Sequence, residues 1–495
     1  MNELPAQIYS AAQVRELDRI AIEEAGIPGY TLMKRAGRAA FDALRERWPL
    51  ADRLLILCGG GNNAGDAYVV ARCGLEAGLD VVTAALAATD RLRGDAATAR
   101  ADFSAIGGNS VPWRTALLDG RDLIVDGLLG TGLERPLEGD YRAVVDSVNR
   151  AGLPVFALDL PTGMHADTGV ELGAALRADA TMSFVGLKLG CFLGAGPDCT
   201  GTLLFDDLGV PAGLYPRLSC PLERLTQSWL SETLRPRRRG THKGEQGHAL
   251  VIGGGPGMGG AIRLTAEGAL RAGAGLVTVA TAPGNARNVT TVRPELMARD
   301  IEEAAQLDEL FERADIVAIG PGLGKAAWGR SLWQAALVSG LPLVADADAL
   351  NLLAEAPVER RNWVLTPHPG EAGRLLGSSG ANVQSDRLQS VRDLAQRYGG
   401  VAVLKGAFTL IAENQGVAVC DRGNPGMAAP GMGDVLTGVI AGLGACGRPL
   451  IDAARAGVLV HALAGDDAAR AGERGTVAGD LFAHVRRRVN PSPDR

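Results

Sequence analysis

The chain has 495 residues, 46% hydrophobic and 21% charged, too long for one ordinary core, so domain sizes of roughly 100 to 250 residues make two large domains the expectation. A formal charge of −6, with basic clusters only at 237–239 and 486–488, excludes a nucleic-acid surface and leaves those clusters as solvated charge. Seven cysteines without a C-x-x-C pair speak against a disulfide framework or zinc site and for a reducing cytoplasm.

The opening ten residues show no basic segment followed by an apolar run, and no stretch reaches the roughly 18 apolar residues of a membrane span, so a soluble, unprocessed protein without a membrane partner is expected. Helical patterns cover residues 11–25 and 31–48. Short Val/Ile/Leu runs at 53–58, 80–86, 122–126, 154–159 and 180–184 then alternate with helix-length segments. Such alternation predicts parallel strands, whose ligands gather at the carboxyl ends. Pro- and Arg-containing sequence between 211 and 240 breaks the pattern, and a boundary near Leu222 divides domains 1–222 and 223–495. Beyond it, strands are expected at 248–252, 275–280, 316–319, 341–345, 362–365 and 401–404, giving a second parallel α/β domain.

In the first domain the strand at 53–58 runs into Gly59-Gly60-Gly61-Asn62-Asn63-Ala64-Gly65-Asp66-Ala67, with a helix expected from Tyr68. Glycines let backbone approach a ligand and amides at a helix start favour anions, although a tight turn with Asx hydrogen bonds reads equally well from this loop alone. Asp126 and Asp159 end two further strands. The first suits a cation ligand and the second proton transfer, while either residue could instead be a helix cap.

The motifs GNNxGD, VDGLLGTGL, LDLPTGxxADTG and FVGLKLG resemble the NAD(P)H-hydrate epimerase family over nearly all of residues 1–220. The resemblance implies a Rossmann-like three-layer fold that interconverts the R and S epimers of hydrated NADH and NADPH, with potassium at the site. It implies Asn63, Asp126 and Thr162 as potassium ligands. The substrate would be lined by Asn62, Asn63, Ala64, Gly65 and Asp66, by Gly130, Thr131, Gly132, Leu133, Glu134, Arg135 and Pro136, and by Tyr141 and Asp159. Asp159, with Lys188 beside it, would be catalytic. The family usually reads NNGGDG. Here Ala64 and Ala67 replace two glycines, methyl groups expected to crowd phosphates or to resist a positive φ.

The second domain opens on HKGEQGH, then a strand and the loop GGGPGMGGA, followed by GPGLG, DADAL, LTPHPGE and LKGAFTLI. Its most telling feature is the small-residue loop from Asn424 to Gly438, which contains Gly431-Met432-Gly433-Asp434 and leads into a helix. Amides at such a helix start can stabilise a transferring phosphoryl group and Asp434 can accept a hydroxyl proton; the plain alternative is a glycine-rich helix start carrying a dipole-favoured Asp.

The GxGD ending resembles the ribokinase-like α/β superfamily, and the motifs taken together are similar to ADP- or ATP-dependent NAD(P)H-hydrate dehydratase over about residues 223–495. The resemblance implies that Lys405, Gly406, Ala407, Phe408, Thr409 and Gly433 contact ADP or ATP. Ala261, Gly322, His368 and Asp434 would contact the hydrated cofactor, Asp434 would be the base, and magnesium would accompany the nucleotide. His242 and Lys243 would help close the site, while Pro425 and Pro430 depart from the usual loop. A ribokinase-like small-molecule kinase with a non-catalytic nucleotide-binding first domain is the alternative, and homo-oligomerisation stays open.

Overall fold

The computed structural model describes residues 4–87, 92–414 and 416–491; of the opening ten residues, 1–3 lie outside the described ones. The chain divides into two compact units, Met1–Glu223 and Arg224–Arg495. Among the described residues no helix is long and apolar enough to cross a membrane.

The first unit is built on a parallel sheet in the order Ser110–Pro112, Asp80–Ala85, Arg53–Cys58, Leu123–Gly127, Val155–Leu158, Ala180–Phe184 and Thr202–Asp206. Alternate residues serve opposite faces. Leu54, Ile56, Val125 and Phe156 join the core under helices Gly29–Arg47 and Asn62–Glu76, while Leu55, Leu57, Ile124 and Ala157 join the core under helix Gly139–Ala151. Burial on both faces is why these strands read as unbroken apolar runs, and it makes the three-layer arrangement. Outside this sheet, Gln7–Tyr9 pairs antiparallel with Leu222 and Glu223 and parallel with Leu187–Lys188, in the register Tyr9↔Lys188.

One expectation changes here. The helix expected from Tyr68 begins at Asn62, so only Gly59–Gly61 forms the turn. Ala64 and Ala67 lie in its first turns, fully buried in the helix–sheet core, and neither has a positive φ. Their methyl groups therefore pack where helical backbone needs no glycine.

The second unit orders its parallel strands Met297–Asp300, Leu276–Thr281, His248–Gly253, Ile316–Ile319, Leu343–Ala345, Trp363–Leu365 and Val401–Leu404. Strands Thr409–Glu413 and Gly416–Cys420 continue it antiparallel. The sequence pattern did not signal this pair or the edge strand Met297–Asp300. The edge strand is mostly exposed and offers no apolar run.

Helix Met432–Ala445 packs on helix Gly259–Ala272 through glycines. A Cβ at Gly438 would stand 1.9 Å from the Thr265 carbonyl oxygen, one at Gly442 2.4 Å from that of Ala269, and one at Gly268 2.7 Å from that of Val435. This close crossing fixes the helix that carries Asp434. Gly438→Ala should therefore lower the stability of the second unit by about 1–3 kcal/mol. Gly260→Ala, where open space surrounds the Cβ position, should change it little or raise it by up to about 1 kcal/mol. Urea unfolding midpoints of the two variants check this.

Candidate functional site

In the first unit the strand order reverses between Arg53–Cys58 and Leu123–Gly127, the place where a doubly wound sheet opens a crevice. Gly59 lets the first loop lie against the second, since a Cβ there would stand 1.8 Å from the Leu128 carbonyl oxygen. Asp126 ends the second strand fully buried. Its Oδ2 accepts the Thr162 amide at 2.8 Å, and its Oδ1 accepts the Thr162 hydroxyl at 2.8 Å and the Leu128 amide at 3.2 Å. Burial pushes its carboxyl up to about 6 in spite of these three bonds. Asn63 is 8% exposed, yet neither Oδ1 nor Nδ2 has a hydrogen-bond partner. A Cβ on Gly130 would meet Asn63 at 3.6 Å and Asp159 Oδ2 at 3.7 Å, so this glycine keeps space between them.

Asp159 follows its strand in the left-handed region, with φ at 65°, a conformation that Asp tolerates better than most residues. Its amide donates to the Met182 carbonyl at 2.7 Å. Its carboxylate receives the ammonium of Lys188, which also donates to Ser183 Oγ at 3.2 Å and to the Phe184 carbonyl at 2.8 Å. Lys188 is 1% exposed, so these three acceptors take the place of water. Two more carboxyls lie in the field of this pair. Burial, with Asp159 and Asp18 nearby, holds Asp66 well above the carboxylate range, and burial raises Asp18 to about 6 against the pull of Lys188.

Asn63, Gly130, Asp159 and Lys188 thus come together beside Asp126 and Thr162. Farther along the loop, Gly132, Glu134, Arg135 and Pro136 are exposed. Leu133 and Tyr141 pack on the core beneath helix Gly139–Ala151.

In the second unit the reversal lies between His248–Gly253 and Ile316–Ile319. The loops after these strands enclose a cavity of about 620 Å³ lined by Gly255, Met258, Gly322 and Trp328 among others. The Trp328 indole is fixed by its Nε1–H bond to the Ile301 carbonyl at 2.9 Å. Gly322 adopts φ 60°, and a Cβ there would collide with that of Met258 at 2.7 Å. Ala261 sits in the first turn of helix Gly259–Ala272.

Helix Met432–Ala445 starts from Gly431 at φ 86° without a side-chain cap, so its first amides have no acceptor within the helix. Asp434 stands in that first turn. Burial and the Asp346 carboxylate push its carboxyl up to about 6 against the pull of Lys405. Lys405 follows strand Val401–Leu404 and donates to Asp346 Oδ1 at 2.6 Å, with Glu371 Oε2 at 3.8 Å. Against the penalty of burial, these two carboxylates hold the ammonium above its ordinary range. The buried guanidinium of Arg387 braces the 405–409 loop through the carbonyls of Leu404 and Phe408, both at 3.3 Å. Thr409 closes the loop on the Gly406 carbonyl at 3.1 Å.

His368 caps helix Pro369–Leu376, its Nδ1 accepting the Gly370 amide at 3.0 Å while Glu371 returns a bond to the His368 amide at 2.8 Å. Burial, together with Lys405, lowers its imidazole below the usual histidine range. Sequence reasoning assigned no role to Asp18, Ser183, Asp346, Glu371, Thr437 or His461. Asp346 and Glu371 stand in the motifs DADAL and LTPHPGE, a signal that was present. Asp18, alone among polar residues of an amphipathic helix, gave none.

The family described as NAD(P)H-hydrate dehydratase matches residues 249–487, and the family described as YjeF-related protein N-terminus matches residues 29–190. The bifunctional NAD(P)H-hydrate repair enzyme of Coxiella burnetii is 46% identical, over 98% of this chain and 99% of its own length. That of Escherichia coli is 45% identical, over 99% and 95%. Among solved structures, a ribokinase-like superfamily protein of Enterococcus faecalis superposes with a TM-score of 0.52 at 29% identity, covering 55% of this chain and 96% of its own. Identity at this level through both units, together with the two sites just described, makes the chain a member of the bifunctional NAD(P)H-hydrate repair enzyme family.

Proposed function

We propose that the first unit interconverts R- and S-hydrated NADH and NADPH and that the second dehydrates the S epimer at the expense of ADP or ATP. The observation that carries this reading is that each unit keeps, at the carboxyl ends of its parallel strands, a lysine paired with a strand-end aspartate beside an acid suited to proton transfer. It replaces the small-molecule kinase alternative, because the family match runs through both units.

In the epimerase, Asp159, ion-paired with the Lys188 ammonium, takes a proton. Asp66, holding its own proton to higher pH, returns one, so that two neighbouring carboxyls work in opposite senses. Asn62 to Asp66, Gly130 to Pro136 and Tyr141 line the substrate in this reading. The unpartnered Asn63 Oδ1, with Asp126 and the Thr162 hydroxyl, offers hard oxygens that fit potassium. Its charge would offset that of Asp126 and organise the phosphate-facing loops.

In the dehydratase, Asp434 removes the proton of the ring hydroxyl, whose oxygen then attacks the terminal phosphorus of ADP or ATP, breaking its bond to the bridging oxygen and releasing AMP or ADP. The free amides at the start of helix Met432–Ala445 stabilise the charge on the transferred group, helped by Lys405. The carbon–oxygen bond then breaks, its electron pair leaving with phosphate, a proton passes from the adjacent ring carbon to water, and the new double bond restores the dihydropyridine. Ala261, Gly322 and His368 contact the hydrated cofactor, and Lys405 to Thr409 with Gly433 contact the nucleotide. Magnesium would accompany the nucleotide and offset the charge of its phosphates.

Asp434→Asn should cut dehydration by about 10²- to 10⁴-fold and leave epimerisation intact. The same change should stabilise the unit. The folded carboxyl titrates near 6, above its ordinary 3.8, so ionising it costs folding free energy above that pH. The gain, on the order of 1–3 kcal/mol, should be full at neutral pH and shrink as pH falls toward about 4, as unfolding curves across that range will test.

Epimerisation should depend on potassium, with sodium or lithium substituting poorly. Equal rates without potassium, with Asp126→Ala also silent, would remove the cation site.

Given nucleotide and a mixed R/S substrate, the native chain should restore the reduced-nicotinamide absorbance completely. Asp159→Ala should restore the S fraction and then stall, and chiral chromatography should find R in the residue. Completion by both proteins at equal rates refutes the role of Asp159.

A further inference from the structure

We propose that Asp346 is a positioning residue of the dehydratase, which holds the Lys405 ammonium beneath the start of helix Met432–Ala445 and keeps it from pairing with Asp434. The inference rests on the dehydratase reading above.

Asp346 is 2% exposed and its backbone is locked. Its amide donates to the Ile319 carbonyl at 3.1 Å, and its own carbonyl lies so close to Gly320 that a Cβ there would stand 1.8 Å away. Its carboxylate is fully engaged inward. Oδ1 accepts Lys405 Nζ at 2.6 Å and the Ala347 amide at 2.9 Å, and Oδ2 accepts the Thr437 hydroxyl at 2.8 Å. Thr437 lies one helical turn beyond Asp434, so the same carboxylate ties down the helix that presents the base. The ammonium sits under the amide-bearing turn, since a Cβ on Gly433 would meet Lys405 Nζ at 3.3 Å and Asp346 Oδ2 at 3.5 Å.

A lysine stem is flexible, and a buried ammonium without its partner seeks another. Glu371 and Asp434 are the carboxylates within its reach. Pairing with Asp434 would draw the charge away from the incoming phosphates and depress the basicity of the base. Asp346 prevents both and, as a fixed negative charge, raises the proton affinity of Asp434. The other groups facing Lys405 and His368 are Glu371 and Arg374 from helix Pro369–Leu376 and His461 from helix Leu450–Ala468. They are the same in every variant below.

The test compares the native chain with Asp346→Asn, which keeps the shape and loses the charge, on S-hydrated NADH over about pH 5 to 9. Removing the negative charge lowers the Asp434 pKa, so the acidic limb of the rate profile should move down by about one unit. The KM for ADP or ATP should rise about tenfold as Lys405 is released. A folded variant that loses rate with limb and nucleotide KM unmoved would make Asp346 merely structural and overturn the proposal, as would an unchanged rate.

If Asp346→Asn does not fold, Lys405→Met is compared with Lys405→Met/Asp346→Asn, which removes both charges of the pair. With no ammonium to position, the double variant should turn over at least as fast as the single one on the plateau above the acidic limb, while the limb itself moves down with loss of the Asp346 charge. A further loss of about tenfold on that plateau would refute the positioning role. A native chain that dehydrates nothing sinks the dehydratase reading itself, whereas an active native chain with an unmoved profile sinks only the role of Asp346.

Discussion

In each unit the ammonium of one lysine is held by an aspartate at the end of a parallel strand, the buried Lys188 by Asp159 and the partly buried Lys405 by Asp346. Burying a charge is costly unless a partner and hydrogen bonds replace water. Lys188 meets this condition with a carboxylate, a hydroxyl and a carbonyl, and Asp346 meets it with an ammonium, a hydroxyl and an amide. Each pair therefore accepts little displacement, and the loops that carry the chemistry are arranged around it. In the first unit the aspartate of the pair is itself the proton-transfer candidate. In the second the pair is closed inward, and a neighbouring Asp434 is left free with its carboxyl raised by burial.

Small residues supply the second constraint. At both sheet reversals one loop lies against the next where a glycine leaves room, as at Gly59 beside Leu128 and Gly253 beside Pro321. Glycines also let helix Met432–Ala445 approach Gly259–Ala272 closely enough to hold the amide-bearing turn in place. These glycines stand where backbone meets backbone. The Ala64 and Ala67 methyl groups are consistent with this, since their positions are buried helix rather than turn.

Much of this was legible in the sequence. Parallel strands buried on both faces leave short apolar runs, so the α/β class and most strands could be read from local pattern. Strand-end aspartates and glycine-rich turns follow those runs directly, which is why Asp126, Asp159 and the GMGD turn stood out.

Other features depend on residues distant in the chain. The start of the helix at Asn62 was missed because glycine and asparagine are poor helix formers locally, and packing of Ala64 and Ala67 into the sheet overrides that preference. The antiparallel strands Thr409–Glu413 and Gly416–Cys420 and the edge strand Met297–Asp300 carry no decisive local periodicity. Above all, the partner of a buried charge is not a property of its sequence neighbourhood. Lys405 and Asp346 are 59 residues apart, and Thr437 is 91 from Asp346. The sequence by itself determined which residue types stand at the strand ends, because hydrophobic periodicity is local. Only the tertiary structure decided which of those charges meet, because pairing is set by strand order and by the exclusion of water from the sheet edge.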